Sequence, residues 1–295
     1  MNIYSAISAN KNKTWIIMLL FVMVITTMVY VFSQALGYSG YSLAGIALVL
    51  AGLTSIGSYY YSDKLVLATT NAKQIKKEDS PNYYRTVENL CIAAGLPMPK
   101  VYIMEEASPN AFATGRDPKH AVVCATTGLL KTLSGAELEG VISHELSHIK
   151  NYDIRVLGIV AILVGFIAIL SDLFIRASFY SDSRENRGNT VFLVLAIVFA
   201  ILSPIAATLI QLAVSRKREY LADAQGALLT RYPEGLASAL EKLAKDKTAP
   251  KNASNATAHL FIENPFDNRK VKNFFTSLFN THPPLEDRIR ILRSM

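Results

Sequence analysis

Residues 14–62 carry no charged side chain, and two apolar runs, 15–32 and 41–60, flank a polar, glycine-containing stretch at 33–40. Each run approaches the roughly 20 residues that a helix needs to cross a bilayer core. The pattern predicts a transmembrane hairpin over 1–62, with Tyr59, Tyr60 and Tyr61 at its membrane–water boundary. The first run is longer than the apolar core of a signal peptide, has no small-residue cleavage site and is followed by a second span, which favours retention. A second pair of spans is predicted over 156–214. Its first run, 156–175, lies between Arg155 and Arg176; its second, 191–214, contains Pro204 and runs into Arg216, Lys217 and Arg218.

The segments between and after the spans, 63–155 and 215–295, are polar enough to form a water-exposed domain. Residues 100–105 and 121–125 read as strands, and 110–114 as a short strand, either at an edge or inside the sheet. Ser134 and Glu137 have the S-x-x-E form that opens a helix. Leu138, Val141, Ile142 and Ile149 then recur at helical spacing. Residues 245–280 are polar and asparagine-rich and fit either a connector or a lid.

Composition agrees with a membrane protein bearing a modest polar domain: 51% of residues are hydrophobic and 18% charged. The net charge of +7 could point to nucleic acid, but the basic residues cluster beside the apolar runs, and no nucleic-acid-binding signature accompanies them. Lys11 and Lys13 precede the first span, Lys64, Lys73, Lys76 and Lys77 follow the second, and Arg216, Lys217 and Arg218 follow the fourth. The positive-inside rule then places both termini and both polar segments in the cytoplasm. Cys91 and Cys124 form no disulfide framework or metal knuckle and read as small buried residues.

The chemistry is carried by His144-Glu145-Leu146-Ser147-His148. Histidines four apart share one helix face, and a glutamate beside the first can reach a metal-bound water, which is the H-E-x-x-H pattern of zinc peptidases. A catalytic zinc takes three protein ligands and keeps an open position. A third histidine six residues past His148 is absent, since that position is Ile154, and Asp153 would have to bend back from the same helix. Glu219 and Asp223, four apart after the fourth span, are better placed: one carboxylate can bind metal while the other supports a ligand histidine. His282 and Arg288 are candidate donors to the oxyanion that forms during hydrolysis. His120 and His259 lack such partners and read as ordinary polar residues.

His144 to His148, followed by a span pair and then Arg218-Glu219-Tyr220-Leu221-Ala222-Asp223, resembles the HtpX family of bacterial membrane zinc peptidases. Asn110-Ala111-Phe112-Ala113-Thr114-Gly115 and Thr281-His282-Pro283-Pro284, with Arg288 beyond, agree with that family in order. The resemblance implies one zinc ion per subunit held by His144, His148 and Glu219, with Glu145 as base and a gluzincin-type fold. The expected fold is therefore α+β: four transmembrane helices with a cytoplasmic zincin-like domain built from 63–155 and 215–295. Asn110, Ala111, Phe112 and Ala113 are expected to bind extended substrate along an exposed strand edge. The implied function is cleavage of misfolded or damaged membrane proteins at the cytoplasmic face of the bacterial inner membrane, in stress-response quality control. Two alternatives stand beside it: a processing peptidase similar to the CAAX prenyl proteases, and a non-catalytic adaptor for unfolded clients.

Overall fold

The computed structural model describes residues 3–35, 40–180, 216–246, 248 and 283–295. The expected spans at 15–32 and 41–60 fall within two long helices, α1 (Ile3–Ala35) and α2 (Gly40–Thr70). The span at 156–175 falls within α6 (Asp153–Tyr180). The span at 191–214, most of the 245–280 segment, His259 and His282 lie outside the described residues. Both N-terminal helices outrun their apolar segments. The α2 helix passes through a kink at Tyr61 (φ −121°, ψ 15°), just where Asp63 and Lys64 end the uncharged stretch. Tyr59 stacks on Trp15 with ring centroids 5.8 Å apart. Cations lie over all three tyrosines: Arg155 over Tyr59, Arg116 over Tyr60 and Lys64 over Tyr61.

Helices α1, α2 and α6 pack on one another. Ile17, Phe21 and Ile25 of α1 bury against Val156, Val160, Leu163 and Ile167 of α6. The α2–α6 contact is made by small residues, with Ser55, Ser58 and Ser62 buried and Gly158 so close that an added Cβ would lie 3.1 Å from the Ser62 Cβ. Small residues let helix backbones approach when burial from water does not drive them together.

A four-stranded sheet follows in the order β1–β2–β4–β3, comprising β1 (Lys73–Gln74), β2 (Lys100–Met104), β3 (Ala111–Gly115) and β4 (Ala121–Thr126). The β2 and β4 strands are parallel, while β1 and β3 flank them antiparallel. The three expected strands are thus present, and β3 lies at an edge, a position the residues alone left open and the family resemblance favoured. Val66, Met104, Phe112, Cys124 and Ala161 form one buried cluster that ties the sheet to α2 and α6.

The main core lies among the sheet, α3 (Pro81–Ala94), α5 (Gly135–Lys150), α7 (Arg216–Thr230), α8 (Pro233–Lys245) and α9 (Leu285–Leu292). A short helix, α4 (Thr127–Thr132), leads into α5. The α3 and α8 helices were not assigned from sequence. Both begin with proline in the first turn, a position where the missing N–H costs nothing. The α5 helix starts as its capping residues predict. The Ser134 N–H donates to Glu137 Oε2 at 2.6 Å, and Lys242 of α8 reaches the same oxygen at 2.7 Å. Leu138, Val141, Ile142 and Ile149 are all buried. Cys91 and Cys124 are free and buried, and burial pushes the Cys91 thiol up to about 11.

Gly140 brings α5 against α8 so tightly that an added Cβ would sit 2.6 Å from the Leu236 nitrogen, whereas one at Gly135 would meet nothing within 4 Å. Gly140→Ala is therefore expected to destabilise the protein by about 1–3 kcal/mol, the usual range for overpacking. Gly135→Ala should be neutral or stabilise by up to about 1 kcal/mol through the unfolded chain. Denaturant unfolding of the two purified variants beside the parent measures both effects.

Candidate metal centre

Two elements meet at the site. His144 and His148 project from one face of α5, and Glu219, Asp223 and Gly226 share one face of α7 by their spacing of four and three. A Cβ on Gly226 would sit 2.9 Å from Ser143 Oγ and 3.1 Å from the His144 nitrogen, so the missing side chain is what lets the two carboxylates come level with the histidines. His144, Glu145, His148, Glu219 and Asp223 are all buried.

The Nε2 atoms of His144 and His148 face each other at 3.1 Å. Glu219 closes the triangle, with Oε1 3.5 Å from His148 Nε2 and Oε2 3.7 Å from His144 Nε2. Ligand atoms on a tetrahedral ion with bonds of about 2.0–2.1 Å are roughly 3.3 Å apart. The three donors therefore have the spacing of ligands to one small cation, and they form the one potential metal-holding group among the described residues.

The far side of each imidazole fixes its tautomer. His144 Nδ1 lies 2.9 Å from Asp223 Oδ1, and His148 Nδ1 lies 3.0 Å from Asp153 Oδ2. A carboxylate accepts, so each Nδ1 carries the hydrogen and each Nε2 is left to face inward. At 3.1 Å the two Nε2 atoms are close enough to share one proton or to bind one cation. Among the described residues, the carboxyl groups Glu145, Glu219, Asp223 and Asp153 are faced by Arg288 and Arg218, with Lys13 within electrostatic reach of Asp153.

Asp223 accepts from Arg288 twice, from Nε at 2.8 Å and from NH2 at 2.6 Å. Burial works to raise its carboxyl, but Arg288 and His144 outweigh burial and hold it below the usual range. Arg288 is 1% exposed and is thus clamped behind the His144 ring. Its NH1 group lies 3.7 Å from Glu219 Oε2 and has no hydrogen-bond partner among the described residues. For Glu145, burial raises the carboxyl above its ordinary value, against both imidazoles and Arg288, which lower it. For His148, burial favours the neutral ring, yet its bond to Asp153 and the charge of Glu219 push it up to about 9 in the absence of metal. A cation must therefore displace a proton there.

Of the residues singled out in the sequence, His144, Glu145, His148, Glu219, Asp223 and Arg288 come together. His282 is outside the described residues. Asn110 and Ala111 to Ala113 lie at the sheet edge but are buried rather than exposed as expected, because β3 packs beside α5 and α6. His120 is exposed and bonded to Asp117 and Arg116, as an ordinary polar residue should be. Asp153, set aside as a metal ligand, instead supports one. The α5 helix ends in a turn with Tyr152 in the left-handed conformation (φ 62°), and after this turn the Asp153 side chain meets His148. An acidic residue directly after the end of a ligand-bearing helix was the available signal.

Comparison with known proteins accords with this geometry. Residues 77–295 match Peptidase family M48. A protease HtpX homolog of Dictyoglomus thermophilum is 47% identical, over 99% of this chain and 94% of its own length. One from Tropheryma whipplei (strain Twist) is also 47% identical, over 99% of this chain and 98% of its own. The crystal structure of S. mikatae Ste24p shows a looser likeness, with a TM-score of 0.49 and 16% identity over 95% of this chain and 66% of that one. With its H-E-x-x-H helix and converging carboxylate, this chain belongs to Peptidase family M48 and is a metalloprotease.

Proposed function

We propose that the chain is a membrane-embedded zinc endopeptidase that cleaves extended segments of unfolded or membrane proteins at the cytoplasmic face of the bacterial inner membrane. The observation that carries this reading is the convergence of the two imidazole Nε2 atoms and the Glu219 carboxylate beside Glu145. Two imidazoles and one carboxylate are a donor set that suits zinc. When bound, the ion supplies Lewis-acid activation of water and of the scissile carbonyl. Glu145 takes the proton of the attacking water and delivers it to the leaving amine, for which a carboxyl raised by burial is suited. Asp223 and Asp153 hold the imidazoles. Arg288 holds Asp223 and has its NH1 hydrogens left to donate toward developing charge, with His282 as the second candidate donor. An extended peptide binds through its main chain, and so without strict sequence preference, beside the β3 edge, whose residues 110–113 are themselves buried.

Several observations support the membrane placement. Among the described residues, Tyr41–Thr70 is the one helix long and apolar enough to cross a membrane. Large apolar side chains on both N-terminal helices are exposed, including Ile16 and Leu19 on α1 and Leu48, Val49 and Leu53 on α2. Lipid covers such a surface, whereas water would leave it prone to association. Asn10 near the start of α1 bonds to Asp153, which puts the N-terminal end of α1 on the side of the metal centre. Together with the lysine and arginine bias of the same ends, this supports a cytoplasmic site, a four-span arrangement, and one catalytic unit assembled from 63–155 and 215–295.

Glu145→Gln should leave one metal ion bound per chain and lower cleavage of casein by about 10²–10⁴-fold, the range for loss of a general base. Metal analysis and proteolysis on the same preparation check this, and normal turnover would sink the assignment. Treatment with a chelator should abolish activity in the parent, and zinc should restore it. Glu219→Ala should lose its metal on dialysis, as measured by elemental analysis.

A further inference from the structure

The carboxylate of Asp153 is held by three groups from three parts of the chain. Its Oδ2 takes the His148 Nδ1–H at 3.0 Å. Its Oδ1 accepts from the Asn10 side-chain amide at 2.7 Å and lies 3.4 Å from Arg218 NH1. The second hydrogen of the Asn10 amide goes to the Asn151 carbonyl at 2.9 Å, and its own Oδ1 accepts from Arg218 NH1 at 3.0 Å. Asn10 is 4% exposed and Asp153 2%. The neighbouring Lys11 lies over the Tyr152 ring, 4.6 Å from its centroid. The N-terminal end of α1 thus grips all three residues of the turn 151–153, the turn whose left-handed Tyr152 places Asp153 against His148.

We propose that Asn10 is a positioning residue for the metal centre: by fixing the rotation of the Asp153 carboxylate it fixes the His148 imidazole, so that metal retention depends on the first helix. The inference rests on the metal-site reading above and extends it to a residue 138 positions before His148 in sequence. Without the Asn10 amide, Oδ1 loses its short hydrogen bond and keeps the longer contact to Arg218, and the buried Asn151 carbonyl loses the Asn10 donor. The carboxylate is then free to turn, and the imidazole with it. Outer residues that orient a ligand histidine typically change metal affinity by about 10–100-fold.

The test uses the full-length protein in detergent and compares the parent with Asn10→Leu, Asp153→Ala, the double variant, and Ile17→Ala. Ile17 is a buried α1 residue packed against α6, so Ile17→Ala loosens the same helix without touching the network. Zinc affinity is read by competition with a chromophoric chelator, and ligand geometry by the visible spectrum of the cobalt-substituted protein. Thermal melting is recorded alongside. Asn10→Leu should weaken zinc binding on the order of tenfold and alter the cobalt spectrum, while Ile17→Ala lowers the melting temperature alone. Because Asn10 acts through Asp153, the double variant should bind zinc no more weakly than Asp153→Ala. Affinity and spectrum within twofold of the parent for Asn10→Leu would overturn the proposal, as would independent losses in the double variant. If Asn10→Leu does not yield folded protein, Asn10→Ser removes the same amide with less bulk and takes its place. A parent that holds no zinc would overturn the metal-site reading itself, a result distinct from a parent that binds zinc indifferently to residue 10.

Discussion

Two imidazole nitrogens face each other at 3.1 Å in the interior of this protein, close enough to share one proton or one cation. The surrounding structure holds that arrangement. Each ring is anchored from behind by a buried carboxylate, Asp223 from α7 and Asp153 from the start of α6. Neither carboxylate could be buried alone, because an unpaired charge in a low-dielectric interior is costly. Arg288 of α9 therefore covers Asp223, while Arg218 and Asn10 cover Asp153. The positions of α1, α6, α7 and α9 around α5 follow from this chain of compensation.

Backbone approach is the second constraint. Short polar side chains such as aspartate reach a neighbouring helix only when the helices pack closely. Gly226 supplies that at the α5–α7 contact, and Gly140 at the α5–α8 contact behind it. The α2–α6 contact uses the same device with Gly158 against Ser62. Close packing thus serves the chemistry on one side and helix association on the other. The cluster of Val66, Met104, Phe112, Cys124 and Ala161 joins the two layers into one body.

The apolar runs, the strands and the start of α5 were legible because each is set by local rules. Period and charge mark the long helices, and Ser134 with Glu137 marks the α5 start. The real helices extend past the apolar runs, since the runs report contact with an apolar surround while the backbone hydrogen-bond ladder of α1 and α2 continues without it. The Asp153 contact was not legible, because read as one continuous helix the sequence puts it on the wrong face, and a left-handed tyrosine in the intervening turn corrects that. The Arg288 pairing was half legible: the residue was singled out, but its clamp on Asp223 required knowing where α9 docks.

By itself the sequence determined the two facing histidines, the adjacent glutamate and the carboxylate pair, for these are consequences of helical spacing. It also marked the long apolar stretches. Only the tertiary structure decided which carboxylate serves which ring, that Arg288 stands behind the site, and that Asn10 reaches it from the first helix. The reason is physical: spacing within a helix fixes which side chains share a face, but nothing local fixes which face of another helix will meet it. The bond between Asn10 and Asp153 joins residues 143 apart in sequence, and it depends on how three helices and one turn pack together.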